Sequence, residues 1–124
     1  MENLIYKDEC FQIVGRCMEV HRVLGRGMDE VVYKDALEEE FRRVGIAFAR
    51  EVSYEVSYKE EILPHCYFAD FVVMDKIILE VKAVQSLTSS HIKQTMNYLA
   101  VSKIKLGLLV NFGEDSLTYK RVIL

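Results

Sequence analysis

One proline, no tryptophan and no apolar run long enough to cross a bilayer: these absences bound the 124-residue chain before any motif does. With Pro64 alone and no low-complexity stretch or internal repeat, nothing marks a domain boundary. Residues 1–124 therefore read as a single domain with a modest core. Cysteine is scarce too. Cys10, Cys17 and Cys66 lack the spacing of a metal site. An odd count behind a polar, acidic opening (MENLIYKDEC) that is unlike a secretory signal implies reduced thiols in a cytoplasm, with no membrane attachment. Excess positive charge is also missing. Sixteen Lys and Arg stand against nineteen Asp and Glu, a net charge of −3. That excludes a protein that coats nucleic acid non-specifically, because such binding rests on neutralising phosphates. It suits an enzyme whose acidic centre is covered by a cation when substrate arrives.

What is present centres on Tyr67–Val84, YFADFVVMDKIILEVKAV, two apolar strands joined by a turn at Met74-Asp75-Lys76. Alternate residues of a strand share a face. A turn centred on Asp75 sets Asp70 opposite Glu80 and Phe68 opposite Lys82, and opposed residues lie about 5 Å apart. Two carboxylates and an ammonium then crowd one patch of an apolar hairpin, where like charges repel and burial is costly. A divalent cation is the simplest compensation, because hard cations take carboxylate oxygens. A lone Glu-x-Lys would more often be a solvated pair. The conjunction with Asp70 inside Val, Ile, Leu and Phe is what carries the signal.

The flanking segments read as follows. A first amphipathic helix spans about Tyr6–Leu24, with Ile13, Cys17, Val20 and Leu24 inward, and ends at Gly25-Arg26-Gly27. A second helix runs from about Asp29, a candidate cap, to Val44. Its inward line holds Glu30, Leu37, Phe41 and Val44, with Tyr33 alongside. Lys34, Glu38, Glu39 and Arg42 fall on the solvated side. From Ile46 to Tyr58 the period is two, a half-buried strand. The next strand enters at Ile62, with Pro64 signalling an edge or bulge. A third helix starts at a cap among Thr88, Ser89 and Ser90 and reaches about Val101, with Gln94 and Tyr98 one turn apart. Lys105–Phe112 is a buried strand, which makes a βαβ unit with the hairpin. A last strand covers Leu117–Leu124, with Lys120 and Arg121 exposed.

Gly27-Met28-Asp29-Glu30-Val31-Val32-Tyr33 matches the GxxExxY signature, and the chain resembles the bacterial and archaeal family of that name. Asp70, Glu80-Val81-Lys82 and the Gln94–Tyr98 pair resemble, in order, the motifs of the PD-(D/E)XK nuclease superfamily in its RecB-like branch. Ala69 stands where the superfamily name implies proline. The resemblance implies an α/β fold with a restriction-endonuclease-like core, a central mixed sheet flanked by helices. It implies one Mg²⁺ or Mn²⁺ held by Asp70, Glu80, the Val81 carbonyl and Glu30. The catalytic residues it implies are Glu30, Asp70, Glu80, Lys82 and Gln94, with Tyr98 and Tyr33 contacting substrate. It also implies a nucleic-acid substrate, DNA before RNA. Phosphodiester hydrolysis needs an activated nucleophile and stabilised charge at phosphorus, which this set can supply. Two alternatives stay open: a non-catalytic binding module on the same fold, and a plain oligomeric domain whose acids form exposed surface pairs. A chain this short suits a homodimer or a partner subunit.

Overall fold

The computed structural model describes residues 4–124. Two helices come first, α1 (Lys7–Leu24) and α2 (Glu30–Val44). Then follow β1 (Phe48–Tyr58), β2 (Glu61–Val73), β3 (Ile77–Lys82), α3 (Ser89–Ser102), β4 (Leu106–Asn111) and β5 (Thr118–Ile123). The strands form one sheet in the order β1-β2-β3-β4-β5. Only β3 and β4, which α3 connects, run parallel; the other pairs are antiparallel. This is the mixed, helix-flanked sheet the sequence implies. No described helix is long and apolar enough to cross a membrane.

The helical periodicity is realised except at Val44, expected inward but 49% exposed at the last residue of α2. Ile13, Cys17 and Val20 of α1 and Leu37 and Phe41 of α2 are buried against Phe71, Val73, Ile77, Leu79, Val81, Leu106, Leu108 and Val110. On the opposite face, Tyr98 and Leu99 of α3 pack with Val72, Ile78, Leu109 and Val122. β3 and β4 are covered on both faces, so every residue of β4 is buried, as in other parallel pairs. Gly45 takes a left-handed conformation at the end of α2, donating to Phe41 and Arg42 carbonyls. Thr88 caps α3 in a reciprocal box with His91.

The long β1–β2 hairpin carries two irregularities. One is a register shift between Glu55 and Ser57, opposite the stretch containing Pro64, as the proline foretells. The other lies at Glu51, whose φ is +54°. Arg50 pairs with Phe71 and Val52 with Ala69, but Glu51 and Asp70 between them form no ladder pair. Phe48, Phe71 and Val73 pack under α1 and α2. Val52, Tyr54, Tyr67 and Ala69 pack under α3. The two strands thus exchange faces at Glu51 and Asp70, and Asp70 sits at the crossing.

Several sequence expectations are corrected. Asp29 occupies the N-cap position of α2 but its side chain makes no cap bond. Arg121 is not exposed on β5. Its guanidinium reaches the Cys10 sulfur and the Ile5 carbonyl, tying β5 to the start of α1. Phe68 is not opposite Lys82. The β2–β3 ladder stops at Phe71 and Leu79, Phe68 pairs with Ser53, and Lys82 pairs with Asn111 of β4.

Candidate active site

The turn at Asp75 fixes the register of the β2–β3 hairpin, with Val73 opposite Ile77 and Phe71 opposite Leu79. One step further along the same register lie Asp70 and Glu80. There the Asp70 N–H donates to Glu80 Oε2 at 2.7 Å. In return the Val81 N–H donates to Asp70 Oδ2 at 2.8 Å. A carboxylate has replaced a ladder carbonyl as the acceptor, and this is why the strands part beyond Asp70. Both acids are buried, Asp70 9% and Glu80 2% exposed. Exposed surface pairing, the second alternative, is thereby excluded.

Two helices, α3 and α2, close on this pair. The Lys82 ammonium leaves β3 toward α3 and donates to Gln94 Oε1 at 3.1 Å. Tyr98, one turn along α3, is buried, with its ring edge-on to Tyr67. Glu30, the first residue of α2, is half-buried, and the charges of Lys82, Asp70, Lys34 and His91 bear on it. So direct contacts link Asp70, Glu80 and Val81, and Lys82 with Gln94, while Glu30 and Tyr98 lie near enough to feel the charges of this cluster.

Tyr33 does not join them. It is fully buried, stacked on Phe112 with centroids 4.6 Å apart. Its hydroxyl donates to the Gly25 carbonyl at 2.6 Å and accepts the Met28 N–H at 3.1 Å. Nothing of Tyr33 remains for a substrate, so the expected substrate contact is corrected to a packing role. It pins the loop in which Gly27 adopts φ +105°, a conformation that side chains disfavour.

Sequence reasoning missed two residues. Lys34, expected on the solvated side, has a side chain only 14% exposed and reaches Asp70 Oδ1 at 3.3 Å. The same ammonium holds Glu51 Oε1 at 2.8 Å. The signal for Lys34 was available: it lies one helical turn from Glu30. Glu51 carried none, because its role depends on the face exchange.

The electrostatics match the crowding. Burial pushes the Glu80 carboxyl up to about 8, the negative charge of Asp70 adds to this, and the Asp70 N–H, Lys82 and Lys34 oppose it. Burial also raises Glu30, with Lys82 pulling the other way and Asp70 adding to the rise. Tyr98 is driven to about 12 by burial and then by the charges of Glu80 and Asp70, so it keeps its proton as a donor. Burial alone would lower Lys34, but Glu51 and Asp70 outweigh it and the net shift is upward.

A buried, interlocked pair of carboxyl groups offers oxygen donors that suit a hard cation. The available donors are carboxylate oxygens and a main-chain carbonyl, and no thiolate or imidazole cluster competes. Among the described residues no three His, Cys, Asp or Glu side chains come together as a metal-ligand group. The fit therefore rests on Asp70 and Glu80, with Glu30 near enough for the Asp70 charge to bear on it.

A family model described as the PD-(D/E)XK nuclease superfamily matches residues 7–122. The chain belongs to that superfamily. Its five-strand mixed sheet flanked by helices accords with the restriction-endonuclease-like fold of PD-(D/E)XK proteins. A solved structure titled "Crystal structure of SSO0001" superposes with a TM-score of 0.59 at 18% identity. The match covers 95% of this chain and 59% of that one, so the chain spans under two thirds of that protein's length. At such identity the likeness is one of fold. No curated protein matches the chain.

Proposed function

We propose that this PD-(D/E)XK domain is a divalent-cation-dependent nuclease of the GxxExxY kind that hydrolyses phosphodiester bonds in DNA, with RNA as a second substrate, in a prokaryotic cytoplasm. The observation that carries this reading is the interlocked, buried Asp70–Glu80 pair with the Lys82 ammonium anchored beside it on Gln94. Asp70, Glu80, the Val81 carbonyl and Glu30 are the donors we assign to Mg²⁺ or Mn²⁺. Bound there, the cation supplies charge neutralisation at phosphorus and makes a water molecule easier to deprotonate.

The chain's own residues do the rest. Lys82, held in direction by Gln94, orients the attacking water and stabilises phosphate charge. Gln94 acts through Lys82. Tyr98, protonated at working pH, offers a hydroxyl to the substrate backbone. Glu30 adds negative charge at the mouth of the site and completes the donor set. A second copy or a partner subunit widens the substrate groove that so small a domain can offer.

The test is cleavage of linear, single-stranded and supercoiled DNA and of RNA, with Mg²⁺ or Mn²⁺, by wild type, Asp70→Asn and Lys82→Ala. Metal-dependent cleavage that falls by about 10²-fold or more in both variants is the expected result. A wild type that takes up metal yet cuts nothing would favour the second reading, a non-catalytic binding module on the same fold. The Lys34 ion pair on Asp70 is the observation in that reading's favour.

A further inference from the structure

Lys34 lies outside every motif of the sequence, yet its ammonium occupies the acid pair. It bonds Asp70 Oδ1 at 3.3 Å and Glu51 Oε1 at 2.8 Å, from a side chain only 14% exposed. An exposed lysine finds a carboxylate by chance and loses it as easily. This one is placed from two directions. From α2, it stands one turn beyond Glu30, so the helix that brings Glu30 to the site brings Lys34 as well. From β1, its partner Glu51 is held at φ +54°, where a non-glycine residue is disfavoured. Glu51 faces the gap in the β1–β2 ladder opposite Asp70. The strand is distorted at the one point that puts a second carboxylate within reach of the ammonium.

We propose that Lys34 is a resident counter-cation of the site. It neutralises Asp70 while the site is empty, is drawn off onto Glu51 when a divalent cation binds, and so sets how tightly that cation is held. The inference rests on the cation site assigned above and adds the residues that regulate it. Asp70 Oδ2 is committed to the Val81 N–H, so Oδ1 is the oxygen that Lys34 and an incoming cation contest. The shorter contact to Glu51 gives the displaced ammonium a place to stay without leaving the protein. Retaining a nearby positive charge then weakens cation binding, which keeps the site labile and leaves an ammonium within reach of the substrate's phosphate.

The experiment is calorimetric titration of Mg²⁺ and Mn²⁺ into wild type, Lys34→Met and Glu51→Gln, in the absence of nucleic acid. Thermal melts establish that each variant is folded. Lys34→Met removes the competitor and should lower the Kd by on the order of tenfold. Glu51→Gln removes the parking place and should raise it. In ¹⁵N-lysine-labelled wild type, the ammonium signal lost in Lys34→Met should shift during the titration and persist at saturation. Unchanged or weaker binding by Lys34→Met, with wild type binding normally, overturns the counter-cation role and leaves the metal site standing. No binding by any of the three overturns the cation site itself. Binding by Lys34→Met alone supports the counter-cation role while counting against an active wild-type enzyme. If Lys34→Met does not fold, the Glu51→Gln titration decides the matter. Tighter binding by Glu51→Gln, or a lysine signal that ignores the cation, rejects the proposal.

Discussion

Asp70 and Glu80 are laced together through the main chain: the Asp70 N–H is held by the Glu80 carboxylate, and the Asp70 carboxylate holds the N–H of the residue after Glu80. The lacing brings two acids together in a buried place, and Glu80 yields by keeping its proton up to about 8. The folded state therefore binds that proton more tightly than the unfolded chain does. Stability from this group is fully present below the unfolded carboxyl value near 4.5 and is lost as pH rises toward 8. We expect the metal-free protein to lose a few kcal/mol between about pH 5 and pH 8. Glu80→Gln should flatten that slope. Denaturant titrations at stepped pH, with chelator present, measure it directly.

Gln94 supplies the second expectation. Its carboxamide oxygen is the anchor of the Lys82 ammonium, and it lies on an exposed part of α3. Gln94→Leu should leave folding within about 0.5 kcal/mol, because surface changes away from caps and buried groups cost little. It should lower kcat by about tenfold and leave KM nearly unchanged, since a wandering ammonium loses its effect in the transition state. A KM rise with intact kcat would instead make Gln94 a substrate-binding group.

The order of elements, the Asp75 turn, the inward direction of Glu30 and the one-turn spacing of Gln94 and Tyr98 on α3 were all legible in the sequence. Each depends on local periodicity or on one short connection. What was illegible depends on distortion. Strict alternation cannot foresee a strand pair that changes faces, so Glu51 gave no sign of reaching the site. Helical phase alone placed Lys34 in solvent, although a long side chain at the edge of a helix can reach inward as readily as out. Tyr33 failed for the opposite reason. Its place in a named signature suggested chemistry, while its burial and its two loop contacts show a structural purpose.

That purpose can be tested with one atom. Tyr33→Phe keeps the ring against Phe112 and removes only the hydroxyl that bridges Gly25 and Met28. Two main-chain groups of the loop lose their partner. A loss of about 1–2 kcal/mol in unfolding free energy is expected. Because that loop leads into Glu30, cation affinity should fall modestly as well. Paired urea and calorimetric titrations would separate the two effects.

Two glycines probe how the end of β3 is held. At Gly107, on β4 beneath α3, an added methyl would come within 2.6 Å of Thr95 Cγ2 and 3.6 Å of Leu99. Both neighbours are side chains on a helix that can shift slightly, so Gly107→Ala should cost about 1–3 kcal/mol. At Gly113 the added methyl would collide with the Val84 main chain, which cannot yield alone. Val84 is clamped on both sides by buried Asn111, which accepts its N–H and donates to its carbonyl, each at 2.9 Å. Next to this clamp the Phe112 N–H donates to the Lys82 carbonyl at 2.8 Å. Gly113→Ala must therefore break the clamp or move the strand end that carries Lys82. The expected result is a loss of more than about 3 kcal/mol, with cleavage impaired even where the protein remains folded. Equal and small penalties for the two alanines in urea denaturation would mean that the Asn111 clamp is looser than its hydrogen bonds imply.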